Sequence, residues 1–142
     1  MKDTLTVGLE HTLKYRVPLE KTVPYLYPEA APFLEMPEVF ATGFMVGFIE
    51  WACMEALVPY LEEGERTVGT MINVTHEAAT PPGMEVTVRV RCVGVDGKHT
   101  LWEIEARDEL DLIGKGTHGR FVINLEKFTA RLKVKADAGV KR

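Results

Sequence analysis

The 142-residue sequence has few of the features that would assign it to a common class. Its two cysteines, Cys53 and Cys92, fit neither a metal-binding spacing nor a disulfide framework, so we expect both to be small core residues. The net charge of −4 gives no electrostatic reason to expect nucleic-acid binding. No run reaches the ~18 apolar residues of a membrane span, and the first residues lack a signal-peptide pattern. We therefore expect a cytoplasmic protein without a membrane segment.

Motifs for the common cofactors are missing as well. The sequence contains no P-loop lysine motif, no GxSxG elbow and no paired histidines for zinc. We therefore expect no cofactor and no metal. The length fits a single domain over residues 1–142, since a domain near this size typically buries about 68–70% of its unfolded surface.

The most informative stretch is an apolar run from about residue 40 to 61, which predicts one long helix. A helix that is apolar on most of its faces belongs in a core. Pro59 is expected to bend or shorten its last turn, and Gly64 suits the left-handed position after its end. Because the helix is apolar on more sides than one sheet can cover, we expect a homodimer, or a higher oligomer, to cover the remainder.

After Gly64 the apolar period changes from 3.6 to 2, which is typical of strands. The alternation predicts strands at 67–78, 85–95, 99–107 and 113–124, after a first strand at 5–17 that Pro18 ends. A shorter strand is predicted through 128–134, and 135–142 are expected to be a flexible tail. The short turns favour antiparallel pairing, so the expected fold class is α+β, with an antiparallel sheet wrapped around the central helix.

The segment from about 20 to 37 carries four prolines among large apolar side chains, which limits any helix there to a short one. Two interpretations remain open. The segment is either a flap packed on the core or a lid over a ligand pocket.

Three polar residues on these elements could carry chemistry. Thr42 stands at the helix start, where it either caps the helix or, with the free amides near Gly43, binds a developing oxyanion. Glu50 lies in the middle of the apolar helix and must be paired, hydrogen-bonded or catalytic, because an isolated buried carboxylate is costly. His76 is predicted on the apolar face of its strand, as a core histidine or as a general base.

The spacing of these residues bears on how a site could form. Thr42 and Glu50 are eight residues apart, roughly 12 Å along a helix, so they cannot easily grip one carbonyl from the same helix. Across a twofold axis, Thr42 of one chain and Glu50 of the other can converge. His118 and Arg120 share a face of the last long strand, where Arg120 either binds a phosphate or carboxylate or is simply solvated.

The sequence resembles the fluoroacetyl-CoA thioesterase family within the hot-dog thioesterase superfamily. The resemblance is carried by residues 37–47, 50–53 and 75–83, and extends over nearly the whole chain. It implies a hot-dog homodimer that hydrolyses acyl-CoA thioesters, with coenzyme A as part of the substrate and with Thr42, Glu50 and His76 as catalytic residues. The substrate-binding residues suggested by the resemblance and by the helix-start amides are Val23, Leu26, Phe33, Met36, Gly43, Gly69 and Arg120.

One departure from the family concerns the acyl group. The fluoroacetyl-selective enzyme carries an aromatic residue where this chain has Met36, and a flexible thioether cannot reproduce a rigid ring. We expect a short acyl group, without a commitment to fluoroacetyl. The alternative function is a non-catalytic module that binds an acyl-CoA or another small ligand. A hydratase acting on enoyl-CoA would need an Asp/His motif that the sequence lacks.

Overall fold

The computed structural model describes residues 1–139. Its strands and helices follow in the order β1, α1, α2, β2, β3, β4, β5 and α3, with 3-10 turns at Leu19–Lys21, Val23–Tyr25 and Val58–Tyr60. The strands are β1 (Glu10–Arg16), β2 (Glu65–Val74), β3 (Glu85–Asp96), β4 (His99–Arg107) and β5 (Leu112–Asn124), and the helices are α1 (Ala31–Leu34), α2 (Thr42–Leu57) and α3 (Leu125–Gly139).

One antiparallel sheet with strand order β1-β3-β4-β5-β2 forms the framework. Alternate side chains on its central strands point toward α2 and are buried, as the period of two predicts. Helix α2 packs against β1 and β3. The predicted α+β architecture, a sheet wrapped around a long helix as in the hot-dog fold, is confirmed. Both cysteines are free and buried, as expected. The core-facing side chains of β3 and β4 are Val86, Val88, Val90, Cys92, Trp102, Ile104 and Ala106.

Helix α2 follows the predicted course, with one difference at its end. It stops at Leu57 and continues as a 3-10 turn through Pro59, which has no N–H to donate and so shortens the α-helix as predicted. Gly64 does adopt a left-handed conformation, at φ +82°, but it lies in the turn before β2 and not directly after the helix. None of the helices within residues 1–139 is long and apolar enough to cross a membrane.

The strand predicted at 128–134 is wrong, because this region belongs to helix α3. The Asn124 side-chain oxygen accepts the backbone N–H of Lys127 at 3.0 Å, a helix N-cap that the prediction overlooked. Residues 135–139 continue the helix and are not a separate tail, while 140–142 lie outside the described residues. The apolar side chains follow helical spacing, at Leu125, Phe128, Leu132 and Ala136.

Two strands, β1 and β2, extend less far than predicted at one end. The first strand begins at Glu10 and not at residue 5, and β2 ends at Val74, so His76 lies in the loop beyond the strand. Glycines of β5 allow this loop to approach closely. A Cβ at Gly114 would collide with the carbonyl oxygen of Thr75, and Gly116 has φ +153°. The close approach fixes the path of the chain directly before His76.

Candidate active site

The hydroxyl oxygen of Thr42 and Nδ1 of His76 are 2.7 Å apart, in hydrogen-bond contact. Ala41, in an extended conformation, is the N-cap of α2, and Thr42 is the first helical residue. The interpretation of Thr42 as a simple capping residue is therefore wrong. Its hydroxyl is hydrogen-bonded to the imidazole of His76, in the loop after β2.

The start of α2, where Thr42 lies, carries backbone amides that have no partner within the helix. The first hydrogen bond of the helix runs from the N–H of Met45 to the carbonyl of Ala41, at 2.9 Å. The N–H groups of residues 42–44 precede that bond, and the helix dipole places partial positive charge there. The position beside Thr42 is thus suited to an oxygen atom that acquires negative charge.

The other ring nitrogen of His76 is in an unusual position. Nε2 is buried and has no hydrogen-bond partner within the part of the chain that the structure describes. Burial lowers the pKa of His76 below its ordinary value of 6.5, so the neutral ring predominates at neutral pH. In the neutral ring one nitrogen carries the hydrogen and the other accepts, so Nε2 lacks an acceptor when it carries the hydrogen and lacks a donor when Nδ1 carries it. A buried polar atom of this kind calls for a partner from outside this chain.

A cleft of about 430 Å³ opens between the start of α2 and the segment at 20–37. An adjoining space reaches His76 and shares Val23, Met36 and Thr42 with the cleft. Gly43 permits this packing, because a Cβ there would lie 3.1 Å from Leu26. Five of the seven predicted substrate-binding residues meet in this cleft: Val23, Leu26, Phe33, Met36 and Gly43.

The segment at 20–37 is held to the protein by backbone hydrogen bonds near both ends, and the residues between them are at least partly exposed. Thr22 and Phe40 form an antiparallel bridge, reinforced by the bond from the Val23 N–H to the Val39 carbonyl at 2.9 Å. Within the described chain, none of the residues from 23 to 39 is buried, although several are large and apolar. A flap packed on the core would bury such residues, so the geometry favours the lid interpretation.

A second cluster of polar side chains surrounds Glu50, further along α2. Nη1 of Arg120 donates to Oε2 of Glu50 at 3.0 Å. The same guanidinium donates from Nε to the Thr67 hydroxyl and from Nη2 to the Thr67 carbonyl, both at 2.9 Å. His118 lies against Nη1 at 3.1 Å. The predicted pair of His118 and Arg120 on one strand face is thus present.

The cluster decides between the alternatives that the sequence left open for Arg120 and Glu50. Arg120 is 2% exposed, so it is not a solvated side chain. Glu50 is held by an arginine, as its structural interpretation requires, yet its side chain remains 39% exposed and lines a pocket beside Gly69. Glu50 is therefore both anchored and accessible. The substrate-binding role of Arg120 remains a prediction, since its N–H groups face Glu50, Thr67 and His118.

The structure thus brings Thr42 and His76 together but places Glu50 in a different pocket, with Gly69 and His118. The participation of Thr67 was missed by sequence reasoning. The signal that would have found it is strand register. Gly69 pairs with Arg120 and Thr67 pairs with Val122, so Thr67 lies two residues along β2 from the partner of the arginine.

Comparison with known proteins places the chain among thioesterases. The family model for fluoroacetyl-CoA-specific thioesterase matches residues 28–126. The fluoroacetyl-CoA thioesterase of Streptantibioticus cattleyicolor is 55% identical over 139 residues, which cover 98% of this chain and 100% of that protein.

Solved structures agree with this placement. A mutant of the fluoroacetyl-CoA thioesterase FlK in complex with acetyl-CoA is 53% identical with a TM-score of 0.91, covering 92% of this chain and 98% of that chain. A thioesterase superfamily member from Thermus thermophilus is 31% identical with a TM-score of 0.83, covering 96% of this chain and 98% of that chain.

Proposed function

The chain belongs to the family of fluoroacetyl-CoA-specific thioesterases, and on that premise we propose that it hydrolyses a short acyl-CoA thioester to the free acid and CoA. The observation that carries this proposal is the pairing of Thr42 with a neutral His76 at the base of the lid cleft, beside the free amides of α2. These groups are the ones that thioester hydrolysis requires: donors for the carbonyl oxygen and a base.

Each group has a role in this proposal. With the hydrogen of the neutral His76 ring on Nδ1, the Thr42 hydroxyl accepts from the ring and keeps its own hydrogen, so this hydroxyl and the amides at the start of α2 stabilise the negative charge that develops on the thioester oxygen. His76, uncharged at neutral pH, then accepts and returns a proton at Nε2. Glu50 either activates water or attacks the thioester carbon to form an acyl-enzyme, which water then hydrolyses. Both routes end with the acid and the free thiol of CoA.

The site is completed, in this proposal, by a second copy of the chain. His76 carries a buried Nε2 that needs a partner, and Glu50 carries an oxygen, Oε1, that is not used in the pairing with Arg120. Two chains related by a twofold axis, with their α2 helices antiparallel, would bring Glu50 of one toward His76 of the other. The homodimer then contains two sites, each with residues from both chains.

Exposed apolar surface supports a homodimer. On α2, Trp51 and Met54 are each 45% exposed, and β2 is an edge strand with Met71 and Ile72 open to solvent. An unpaired edge with apolar side chains is unfavourable in an isolated protein and is commonly covered by another chain. We also propose a cytoplasmic location, which two free buried cysteines support because a reducing compartment keeps thiols reduced.

The acyl group is proposed to be short. Phe33 and Met36 line the cleft together with Leu26, so bulky side chains border the space that leads to Thr42. Since the thioether of Met36 is more adaptable than an aromatic ring, we propose that the chain accepts unfluorinated short acyl groups as well as fluoroacetyl.

Thiol release from a panel of fluoroacetyl-, acetyl-, malonyl- and phenylacetyl-CoA tests this function. Turnover of the small acyl groups is expected, and Glu50→Gln and His76→Ala are each expected to lower it by at least ~100-fold, as loss of acid–base help would. Glu55→Gln, a change on the same helix at a residue that contacts His11, is the matched control and should retain activity. Tight CoA-ester binding without thiol release would instead indicate a non-catalytic binding module.

A further inference from the structure

The orientation of His118 is determined by a backbone contact. Nδ1 of His118 lies 2.7 Å from the carbonyl oxygen of Met71, and a carbonyl can only accept, so Nδ1 carries the hydrogen. The ring is 2% exposed and is therefore fixed on β5. In the neutral ring with the hydrogen on Nδ1, Nε2 is an acceptor.

That acceptor faces Arg120. Nη1 of Arg120 has two hydrogens, and its two neighbours are Nε2 of His118 at 3.1 Å and Oε2 of Glu50 at 3.0 Å. Thr67 accepts the hydrogen bonds from Nε and Nη2 of the same guanidinium. Thr67, His118 and Glu50 therefore fix the planar guanidinium, and one Nη1 hydrogen is directed at Glu50.

We propose that His118 is a positioning residue for Glu50. His118 acts through Arg120, which holds the Glu50 carboxylate so that Oε1 faces the substrate. The inference rests on the proposed function, since it gives Glu50 a part in thioester hydrolysis. His118 accepts one Nη1 hydrogen, so the other is restricted to the direction of Oε2. With Oε2 engaged, Oε1 is the oxygen left for water or for the thioester carbon.

This role requires a neutral His118. A protonated ring would place an N–H against the N–H of Arg120, and the contact would become repulsive. The charged groups that act on His118 are Arg120 on its own strand and Glu50 on α2. Burial is the largest cause that lowers the pKa of His118, and the charge of Arg120 adds to it, against the opposing effects of the Met71 carbonyl and Glu50. At neutral pH the ring is thus an acceptor.

Two substitutions separate the two contacts of the ring. His118→Asn keeps a donor near the position of Nδ1 and removes the acceptor, while His118→Gln places an amide oxygen near the position of Nε2. We expect His118→Asn to lower kcat by about tenfold with a KM change under about threefold, because Glu50 is misaligned in the reaction step rather than in binding. His118→Gln should return kcat to within about threefold of the original chain.

The pH profile is the second readout, measured on both variants and on the unchanged chain. In the unchanged chain, kcat should fall at acid pH as His118 gains a proton. In His118→Gln, which cannot take up that proton, only the part of the fall that comes from the proposed base His76 should remain. Equal losses of kcat in the two variants, or a pH profile of His118→Gln identical to that of the unchanged chain, would overturn the positioning role. If His118→Asn does not fold, the His118→Gln profile decides the question.

The proposed function fails separately from this inference. An unchanged chain that releases no thiol from any acyl-CoA in the panel contradicts the thioesterase assignment, whatever the variants do. An active chain whose rate is unaffected by both substitutions contradicts the role of His118 and leaves the thioesterase assignment in place.

Discussion

Oε2 of Glu50 lies within 2.9 Å of the point where a side chain at Gly69 would begin. A Cβ at the same point would also approach Cε1 of His118 at 3.3 Å and Nη1 of Arg120 at 3.5 Å. The glycine lies at a register irregularity of β2, between Gly69 and Met71. The missing side chain is what leaves room for the ion pair of Glu50 and Arg120.

Gly69→Ala is therefore expected to impair catalysis more than folding. A real Cβ essentially never approaches another atom to 2.9 Å, so the end of the flexible Glu50 side chain must move away from its place beside Arg120. A displacement of about 1 Å at a reacting group can lower the rate by about 100-fold. Steady-state kinetics with acetyl-CoA and a thermal unfolding curve measure the two effects.

Gly94→Ala is the matched control for this substitution. Gly94 also lies at a register irregularity, in β3, but among residues 1–139 a Cβ there would meet only Cβ of Leu101, at an ordinary 3.5 Å. Its activity should stay within about twofold of the original. Should the Gly94 and Gly69 variants lose activity equally, the crowding at Glu50 would not be the cause.

Acid is expected to destabilise the fold through two histidines. The pKa values of His76 and His118 are both lowered from 6.5, chiefly by burial, so the unfolded chain takes up these protons before the folded chain does. Their contribution to the free energy of unfolding is thus fully present above about pH 6.5 and is lost as the pH falls from there through the folded-state pKa values. The thermal midpoint should decrease between about pH 7 and pH 5.

Substitution of one of these histidines identifies the source of that decrease. His118→Gln removes the proton uptake and should make the thermal midpoint less dependent on pH over the same range. His99→Gln, at an exposed histidine whose ring lies 4.6 Å from the ring of Phe121, is the control for the histidine-to-glutamine change itself. Identical slopes in the original chain and in His118→Gln would show that His118 does not contribute.

Much of the framework could be predicted from local patterns, and the failures have local causes too. The strands β3 and β4 and helix α2 came close to their observed bounds because their apolar periods are regular. The C-terminal helix is predicted as a strand because Phe128, Leu132 and Val134 also fit a period of two, whereas Leu125, Phe128, Leu132 and Ala136 fit the helical spacing that the structure shows. The capping contact of Asn124 also favours the helix.

The residues of the candidate site could also be predicted only in part. Residue type was enough to select Thr42, Glu50 and His76, and a structure was needed to show which of them meet. The contact of Thr42 with His76 joins residues 34 positions apart in the sequence. It depends on the loop after β2, which the sequence pattern predicts as part of the strand. The Arg120 cluster depends on how β2 is registered against β5, including its irregularity, and no local pattern sets that register.

Met36 provides a test of how the lid limits the acyl group. The side chain is 49% exposed and borders both the cleft and the space that reaches His76. Met36→Phe places a rigid ring there, so it is expected to lower kcat/KM for phenylacetyl-CoA by at least about tenfold relative to acetyl-CoA. Leu34→Phe, at a lid residue that is 54% exposed and does not line the cleft, should leave this ratio unchanged. A constant ratio in the Met36 variant would mean that the lid does not select the acyl group.

Mixing two inactive variants tests whether each site is built from two chains. Glu50→Gln and His76→Ala each disable one part of the proposed site, and light scattering first establishes whether each variant is a dimer. In a mixed dimer, the intact Thr42 and His76 of the Glu50→Gln chain would meet the intact Glu50 of the His76→Ala chain. One of the two sites is then complete.

Random exchange at equal amounts makes half of the dimers mixed, so activity should return to about 25% of the original level if every mixed dimer has one working site. If all residues of a site instead came from one chain, each site in the mixture would carry a substitution, and activity would stay at the level of the separate variants. A mixture of Glu50→Gln with Thr42→Val should recover in the same way, because Thr42 and His76 come from the same chain. A mixture of His76→Ala with Thr42→Val should not recover, since no pairing of these two chains restores a contact between Thr42 and His76.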